Sequence, residues 1–155
     1  IYLDETVMRM CQTHRRMFLM LANSLLQKGE KDKATKVLQK CLKELPSTTV
    51  PYTDDDSQLA SLLAEAGNKK EAAKVAKAVL DYNFQYLTYL NSLGSDRVQT
   101  YMRTCYYLVT STIEASHALR SVNDPQVAQY DKRIEQAGHT EAFQLGLEVY
   151  QQQMQ

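Results

Sequence analysis

The residues whose spacing most suggests chemistry are Glu114 and His117, which stand three positions apart as Glu-x-x-His. Di-iron bundles carry such a pair on each of two helices, with two further glutamates opposite. The chain contains the pair once, because His139 has no glutamate three residues before it. The pattern therefore favours a solvent-facing or capping pair, and a metal-binding helical bundle around these residues stays as an alternative function.

Two other constellations resemble sites only in part. The run Asp54-Asp55-Asp56 with Glu65 imitates the ends of a calcium loop, but Leu59 takes the place where the sharp turn needs glycine. These aspartates instead suit the positive end of a helix dipole, and Thr53 with Asp56 forms a capping-box-like start. Phosphate loops, nucleophile elbows and Ser-x-x-Lys motifs are absent from the sequence, so no catalytic residue and no cofactor are expected.

Tyrosines supply the remaining unusual pattern. Tyr82, Tyr86 and Tyr89 follow one another at helical spacing beside a separate apolar row, which predicts two packing partners for one helix. One interpretation packs them against the next helix, which carries Tyr101, Tyr106 and Tyr107. The other makes them a partner-binding surface, because tyrosine offers a large contact area at small rotamer cost.

Composition limits the classes of function. Eighteen Lys and Arg balance eighteen Asp and Glu, so the basic field that nucleic-acid binding requires is missing. Five glycines and three prolines leave few turns and favour long helices. The longest apolar run covers residues 17–22, far short of the roughly 20 residues of a membrane span. Since the chain begins at Ile1 rather than methionine, we expect it to be part of a longer protein.

Apolar spacing and capping residues predict seven helices. The first runs from Asp4 to Lys28, the second from Asp32 to Leu45, and a third to Ala66. A long fourth helix follows Asn68 and lacks a breaker until Gly94, and the last three begin near 95, 125 and 140. The predicted core stripe of the first helix comprises Val7, Cys11, His14, Phe18, Leu21, Ala22 and Leu25. The three cysteines (Cys11, Cys41 and Cys105) lie on such apolar faces, which predicts buried, unpaired thiols.

An internal repeat relates the first two helix pairs. A shift of 38 residues superimposes Gly29 on Gly67 and Ala34 on Ala72. Glycine lets the chain reverse between two helices, and the alanine lets them approach closely. The remaining matches are Leu25 with Leu63, Lys31 with Lys69, Lys36 with Lys74, Val37 with Val75, and Leu42 with Leu80.

This pattern resembles the tetratricopeptide repeat, a helical hairpin of about 34 residues. The first copy spans 15–46 and the second 53–84, while 95–155 form divergent or capping helices. In the first copy, the matching positions are Phe18, Leu21, Ala22, Leu25, Gly29, Ala34, Leu38, Cys41 and Pro46; in the second, they are Leu59, Ala60, Leu63, Gly67 and Ala72. The resemblance implies one all-α domain over 1–155, built as a right-handed array of tandem antiparallel hairpins.

In such repeats the first helix of each hairpin lines a concave groove that binds proteins or peptides. The resemblance therefore assigns seven partner-binding residues to this groove. They are Arg16, Leu19, Asn23, Leu26, Gln27, Ser57 and Ser61.

A narrower resemblance comes from Leu3-Asp4-Glu5-Thr6-Val7-Met8-Arg9-Met10 and from Thr49-Val50-Pro51-Tyr52. These segments are similar to the soluble C-terminal region of a Bacteroidetes membrane protein family of unknown function, whose multi-spanning part resembles protein O-mannosyltransferases. The resemblance implies a non-enzymatic interaction or scaffold domain, attached to the inner membrane and facing the periplasm, with a cytoplasmic location left open. The alternative function is an accessory domain that orients acceptor polypeptides for glycosyl transfer.

Overall fold

The structure is a computed structural model that describes residues 3–155. Helices dominate, and no strand occurs in this range, so the predicted all-α class is confirmed. A 3-10 turn over Asp54–Asp56 leads directly into the third helix. The helices are α1 (Glu5–Gln27), α2 (Lys31–Glu44), α3 (Ser57–Glu65), α4 (Lys69–Ser92), α5 (Ser95–Thr100), α6 (Met102–Ser121), α7 (Val127–Gly138) and α8 (Glu141–Gln153).

The predicted number of seven helices is wrong, because residues 3–155 contain eight. The predicted fifth helix is divided at Tyr101, whose backbone N–H donates to the carbonyl of Val98 and closes a tight turn between α5 and α6. The predicted start at Pro125 is also displaced. There Asp124 accepts a bond from the backbone N–H of Gln126, which forms a turn, and α7 begins only at Val127.

The first four helices form two hairpins with equivalent turns. Gly29 joins α1 to α2 with a φ of 76°, and Gly67 joins α3 to α4 with a φ of 90°. This left-handed conformation is accessible to glycine without steric cost, which explains why the residue recurs in both copies. The turns share the same backbone bonds, shifted by 38 residues: Gly29 to Leu26 and Glu30 to Leu25 in the first, Gly67 to Ala64 and Asn68 to Leu63 in the second.

Small residues lie where the paired helices approach each other. Ala34 and its repeat equivalent Ala72 are both fully buried, as are Ala22 and Ala60. Because an alanine side chain allows close approach of two backbones, the equivalence extends from the turns to the packing. The matching alanines predicted from the repeat therefore lie at equivalent buried places in the two hairpins.

Arg15 holds the long loop between the hairpins. Its side chain is 1% exposed, and its Nη2 donates to the carbonyl oxygens of Leu45 (2.8 Å) and Val50 (2.7 Å). Its Nη1 lies 3.3 Å from Oδ2 of Asp56, and its guanidinium stacks over the ring of Tyr52 at 4.8 Å. A single buried cation thus ties α1 to both ends of the loop and to the start of the second hairpin.

The predicted capping box at the start of the second hairpin is present. The carboxylate of Asp56 accepts a bond from the backbone N–H of Thr53 at 2.9 Å, and the Thr53 hydroxyl accepts one from Asp55. The box opens the 3-10 turn rather than α3 itself, which begins at Ser57. Asp56 therefore interacts with two groups, the backbone N–H of Thr53 in the capping box and the guanidinium of Arg15.

The predicted core stripe of α1 is wrong for its outer members. The buried side of the helix carries Arg15, Leu19 and Ala22, whereas Val7 and Leu21 are exposed. Both faces of α1 are apolar at helical spacing, so periodicity alone does not identify the inner one. The hydrogen bonds of Arg15 decide the orientation, because a buried guanidinium needs partners and finds them only on the loop side.

The long helix α4 runs past two apolar clusters that a polar layer separates. One cluster lies around α1, α2, α3, the first two thirds of α4 and the second half of α6, and the other around α5, α8, the C-terminal end of α4 and the first half of α6. Between them Asn83 is fully buried and donates to Ser111 (3.0 Å) and Thr112 (3.2 Å) on α6. Such a layer fixes the register of α4 against α6, because any slip leaves these groups without partners.

Candidate functional site

The tyrosine strip, defined as Tyr82, Tyr86 and Tyr89, lies along one face of α4. The rings of Tyr82 and Tyr86 meet edge to face with centroids 6.0 Å apart, and those of Tyr86 and Tyr89 with centroids 6.3 Å apart. Tyr82 and Tyr86 pack against the second apolar cluster, whereas Tyr89 is 57% exposed. The three rings thus form one partly exposed ladder of edge-to-face contacts.

Acidic side chains flank one end of the tyrosine strip. Burial, with smaller contributions from the nearby carboxylates of Asp54 and Asp55, raises the pKa of Tyr82 to about 12. Burial also raises the pKa of Tyr86, again with a contribution from Asp54. The phenols are therefore neutral donors at physiological pH, next to a negatively charged rim.

The structure supports the intramolecular interpretation of these tyrosines in part, and the partner-binding interpretation stays a prediction. Tyr82 and Tyr86 pack against a cluster to which α6 contributes, as the intramolecular interpretation expects. Tyr106 and Tyr107 instead pair with each other at 5.3 Å, and Arg103 lies over the Tyr107 ring. Among the described residues, the aromatic pairs of the strip are formed within the strip itself, and its Tyr89 end is open to solvent.

The predicted groove is not an open surface along its length. Leu19 is 2% exposed and belongs to the core, and Ser57 is also buried, so assigning these two residues to a partner surface is wrong. Arg16 is exposed, with its guanidinium 4.0 Å from the Asp55 carboxylate. The other predicted groove residues divide into Asn23, Leu26 and Ser61, which are half-buried, and Gln27, which is exposed.

Helix α6 covers α3, which explains the closed part of the groove. The hydroxyl of Ser57 donates to Oε2 of Glu114 at 3.1 Å, and the hydroxyl of Ser61 donates to Oε1 at 3.3 Å. Both carboxylate oxygens of Glu114 thus accept hydrogen bonds from serine hydroxyls. Within residues 3–155 no group of three or more His, Cys, Asp or Glu side chains is placed to hold a metal ion, so the bundle around Glu114 and His117 lacks a ligand set there.

One surface hollow, of about 300 Å³, lies between α4 and α7 and includes Phe84, Thr88 and Arg133. The guanidinium of Arg133 stacks over Phe84 at 4.6 Å and donates to Asp81 at 2.7 Å, so its charge is already paired. This hollow presents a satisfied cation and no nucleophile.

The thiols are unpaired in the described residues, as predicted, but they differ in burial. Cys41 and Cys105 are buried, whereas Cys11 is half-buried, so full burial is wrong for Cys11. Burial raises the pKa of Cys41 to about 11, although the Arg15 charge opposes it. Burial likewise raises the pKa of Cys105. A buried thiol of raised pKa is a poor nucleophile.

The α1 outer face is defined as Val7, Met10, His14, Met17 and Leu21. The sequence predicts that Val7, His14 and Leu21 belong to the core, but it does not predict this for the two methionines. Met10 is 66%, Met17 62% and Leu21 51% exposed. With Phe18, three of these residues line an open hollow of about 300 Å³. The apolar spacing of these residues therefore indicates an exposed apolar face of α1 and not a core-facing one.

Helices long and apolar enough to cross a membrane do not occur among residues 3–155. No family model, no curated protein and no solved structure matches the chain.

Proposed function

We propose that the chain is a non-catalytic protein-interaction domain and that the tyrosine strip binds a polypeptide partner. The observation that carries the proposal is the edge-to-face ladder of Tyr82, Tyr86 and Tyr89, which ends in a tyrosine that is more than half exposed. Tyrosines held in place lose little entropy when a partner binds, and they are frequent among the residues that dominate binding energy.

We further propose that the two hairpins are a tetratricopeptide-like tandem pair, with α5–α8 as a divergent repeat or cap. Equivalent glycine turns and equivalent buried alanines support this reading. An array of this kind presents its helices as a scaffold on which exposed side chains keep fixed spacing. The tyrosine strip has such fixed spacing, because its residues lie on α4, the second helix of the second hairpin.

The chemistry of the strip favours a partner segment with a basic residue. Asp54 and Asp55 place negative charge beside Tyr82, and the exposed ring of Tyr89 offers its π face. A lysine or arginine gains at either end of the strip, by charge attraction to the carboxylates beside Tyr82 or by cation–π contact with the ring of Tyr89. The tyrosine hydroxyls tolerate water at the rim of such an interface.

Binding to a displayed library of random 12-residue peptides tests this function. Peptides selected on the 155-residue chain are measured against Tyr86→Ala and Tyr89→Ala, with Tyr107→Ala as the matched control on α6. We expect about fivefold or greater weakening for either strip variant, since interface tyrosines contribute upward of about 1 kcal/mol. Selected peptides that bind both strip variants as tightly as the unaltered chain would contradict the proposal.

The cellular setting is proposed from the resemblance of the N-terminal segments. We propose that the domain is attached to the inner membrane through a multi-spanning part of a longer protein and lies in the periplasm. An accessory role, orienting acceptor polypeptides for glycosyl transfer, is compatible with the same tyrosine strip. Immunodetection in fractionated cells tests the setting: detection in the membrane pellet supports it, and detection only in a soluble fraction contradicts it.

A further inference from the structure

The α1 outer face has the spacing of a helix–helix seam. Val7, Met10, His14, Met17, Leu21 and Ser24 follow one another at alternating steps of three and four residues. That is the a and d pattern by which one helix packs along another. Each of the large apolar members is more than a third exposed, so no helix within residues 3–155 occupies the seam.

The second hairpin shows what covers the corresponding position. Leu59 is the repeat equivalent of Leu21, and it is fully buried in a cluster that includes Leu19 and Ala22 of α1 and Leu38 of α2. Leu59 lies on the side of α3 opposite Ser57 and Ser61, so the first hairpin and not α6 covers it. Among residues 3–155 the equivalent side of α1 has no preceding hairpin against it, and Leu21 is 51% exposed. By the equivalence of the hairpins, the missing neighbour of α1 is a helix.

The charge pattern of α1 fits a second copy of itself. Val7, Met10, Met17 and Leu21 carry no charge, Asp4 stands at the start of the helix, and Lys28 stands at its end. In an antiparallel pair the acidic start of each α1 lies near the basic end of the other, and the two helix dipoles oppose. Such an arrangement is isologous, so the same face serves both copies and the interface closes as a dimer.

We propose that the chain self-associates through the α1 outer face, as an antiparallel α1–α1 pair centred near His14. The face offers roughly a few hundred Å² per copy, less than the roughly 800 Å² of a standard interface. The dimer is therefore weak and forms at high protein concentration. This association is separate from the tyrosine strip, which lies on α4.

Sedimentation velocity from about 10 to about 500 µM tests the association, since weak interfaces populate dimers only in this range. We expect the dimer fraction of the unaltered chain to rise with concentration. Met17→Glu with Leu21→Glu abolishes this rise, because the antiparallel pair would bury each of the four carboxylates against apolar residues of the facing copy, whereas Met154→Glu, at an exposed position just after α8, leaves it unchanged. A chain that stays monomeric throughout, or a double variant that dimerises normally, overturns the proposal.

Disulfide trapping tests the direction of the pair. In a Cys11→Ser background, a Val7→Cys chain is mixed with a Leu21→Cys chain and oxidised gently. The antiparallel arrangement predicts the mixed disulfide, and a product made only of like chains overturns it. Tyr86→Ala with Tyr89→Ala leaves dimerisation unchanged, so failure of this proposal and failure of the peptide-binding function are distinguishable.

Discussion

Arg15 and Asp56 form a buried ion pair between the first and second hairpins, with Nη1 and Oδ2 3.3 Å apart. The arginine also donates hydrogen bonds to the carbonyl oxygens of Leu45 and Val50, and the aspartate accepts one from the backbone N–H of Thr53. The pair therefore determines how the second hairpin is placed against the first. Because both charges are withdrawn from water, each depends on the other.

Arg15→Met is expected to lower the free energy of unfolding by about 3–5 kcal/mol, because it leaves the Asp56 carboxylate buried without its cation. Burial already raises the pKa of Asp56 against the opposing charge of Arg15, and the variant removes that charge. A carboxyl whose folded pKa is raised costs stability as pH rises through that pKa. The deficit is thus largest at neutral pH and shrinks toward pH 4, as urea unfolding at several pH values would show.

Arg16→Met is the control, since this neighbouring arginine is exposed and its nearest carboxylate is 4.0 Å away. We expect a change below about 0.5 kcal/mol. Arg15→Met combined with Asp56→Asn should recover part of the loss, because the unpaired charge is gone. Equal losses for the Arg15 and Arg16 variants would show that the buried pair does not hold the hairpins together.

Gly29→Ala and Gly67→Ala should each cost about 1–2 kcal/mol, and by the same amount, if the two turns are equivalent. An added Cβ meets no atom within 4 Å at Gly29 and only the Lys31 side chain, at 3.6 Å, at Gly67. The cost is therefore conformational, from the left-handed backbone. Gly138→Ala at the end of α7, where φ is not positive, should be neutral or mildly stabilising. Thermal or urea unfolding of all three checks this.

Alkylation of the native chain at pH 8 should modify Cys11 first. With a pKa of about 11, the Cys41 thiol is ionised to only about one part in a thousand at this pH, and it is also buried. Cys105 is protected for the same reasons. Mass spectrometry after partial reaction with iodoacetamide identifies the order, and fast labelling of Cys41 before unfolding would contradict the placement of α2.

Alkaline pH should destabilise the fold between about pH 10 and pH 12. Burial raises the pKa of Tyr82 to about 12, and burial together with a hydrogen bond to Asp81 does the same for Tyr130. The folded chain keeps these phenols neutral while the unfolded chain ionises them near pH 10, so stability falls as pH rises through this window. Tyr130→Phe should flatten the decline in unfolding free energy, and an unchanged slope would argue against the burial of its hydroxyl.

Helix pairing was predictable from local signals, whereas the assembly of the pairs was not. Gly29 and Gly67 identify their turns in the sequence, because glycine adopts the left-handed backbone conformation of such a turn without steric cost. The side of α1 that faces the interior is set by the buried Arg15. The sequence alone predicts an exposed arginine, because its partners Leu45, Val50 and Asp56 are distant in the chain. The groove is closed where Glu114 accepts hydrogen bonds from Ser57 and Ser61, which lie more than 50 residues away from it in the chain.

Chemical-shift mapping with a selected peptide is the most direct test of the account, whose central claim is that the tyrosine strip is the partner-binding surface. Titrating the peptide into the isotope-labelled chain should move the signals of Tyr82, Tyr86, Tyr89 and Asp55 most, and those of the α1 outer face least. Shifts concentrated on α1 or between α3 and α6, with the strip unmoved, would contradict the account.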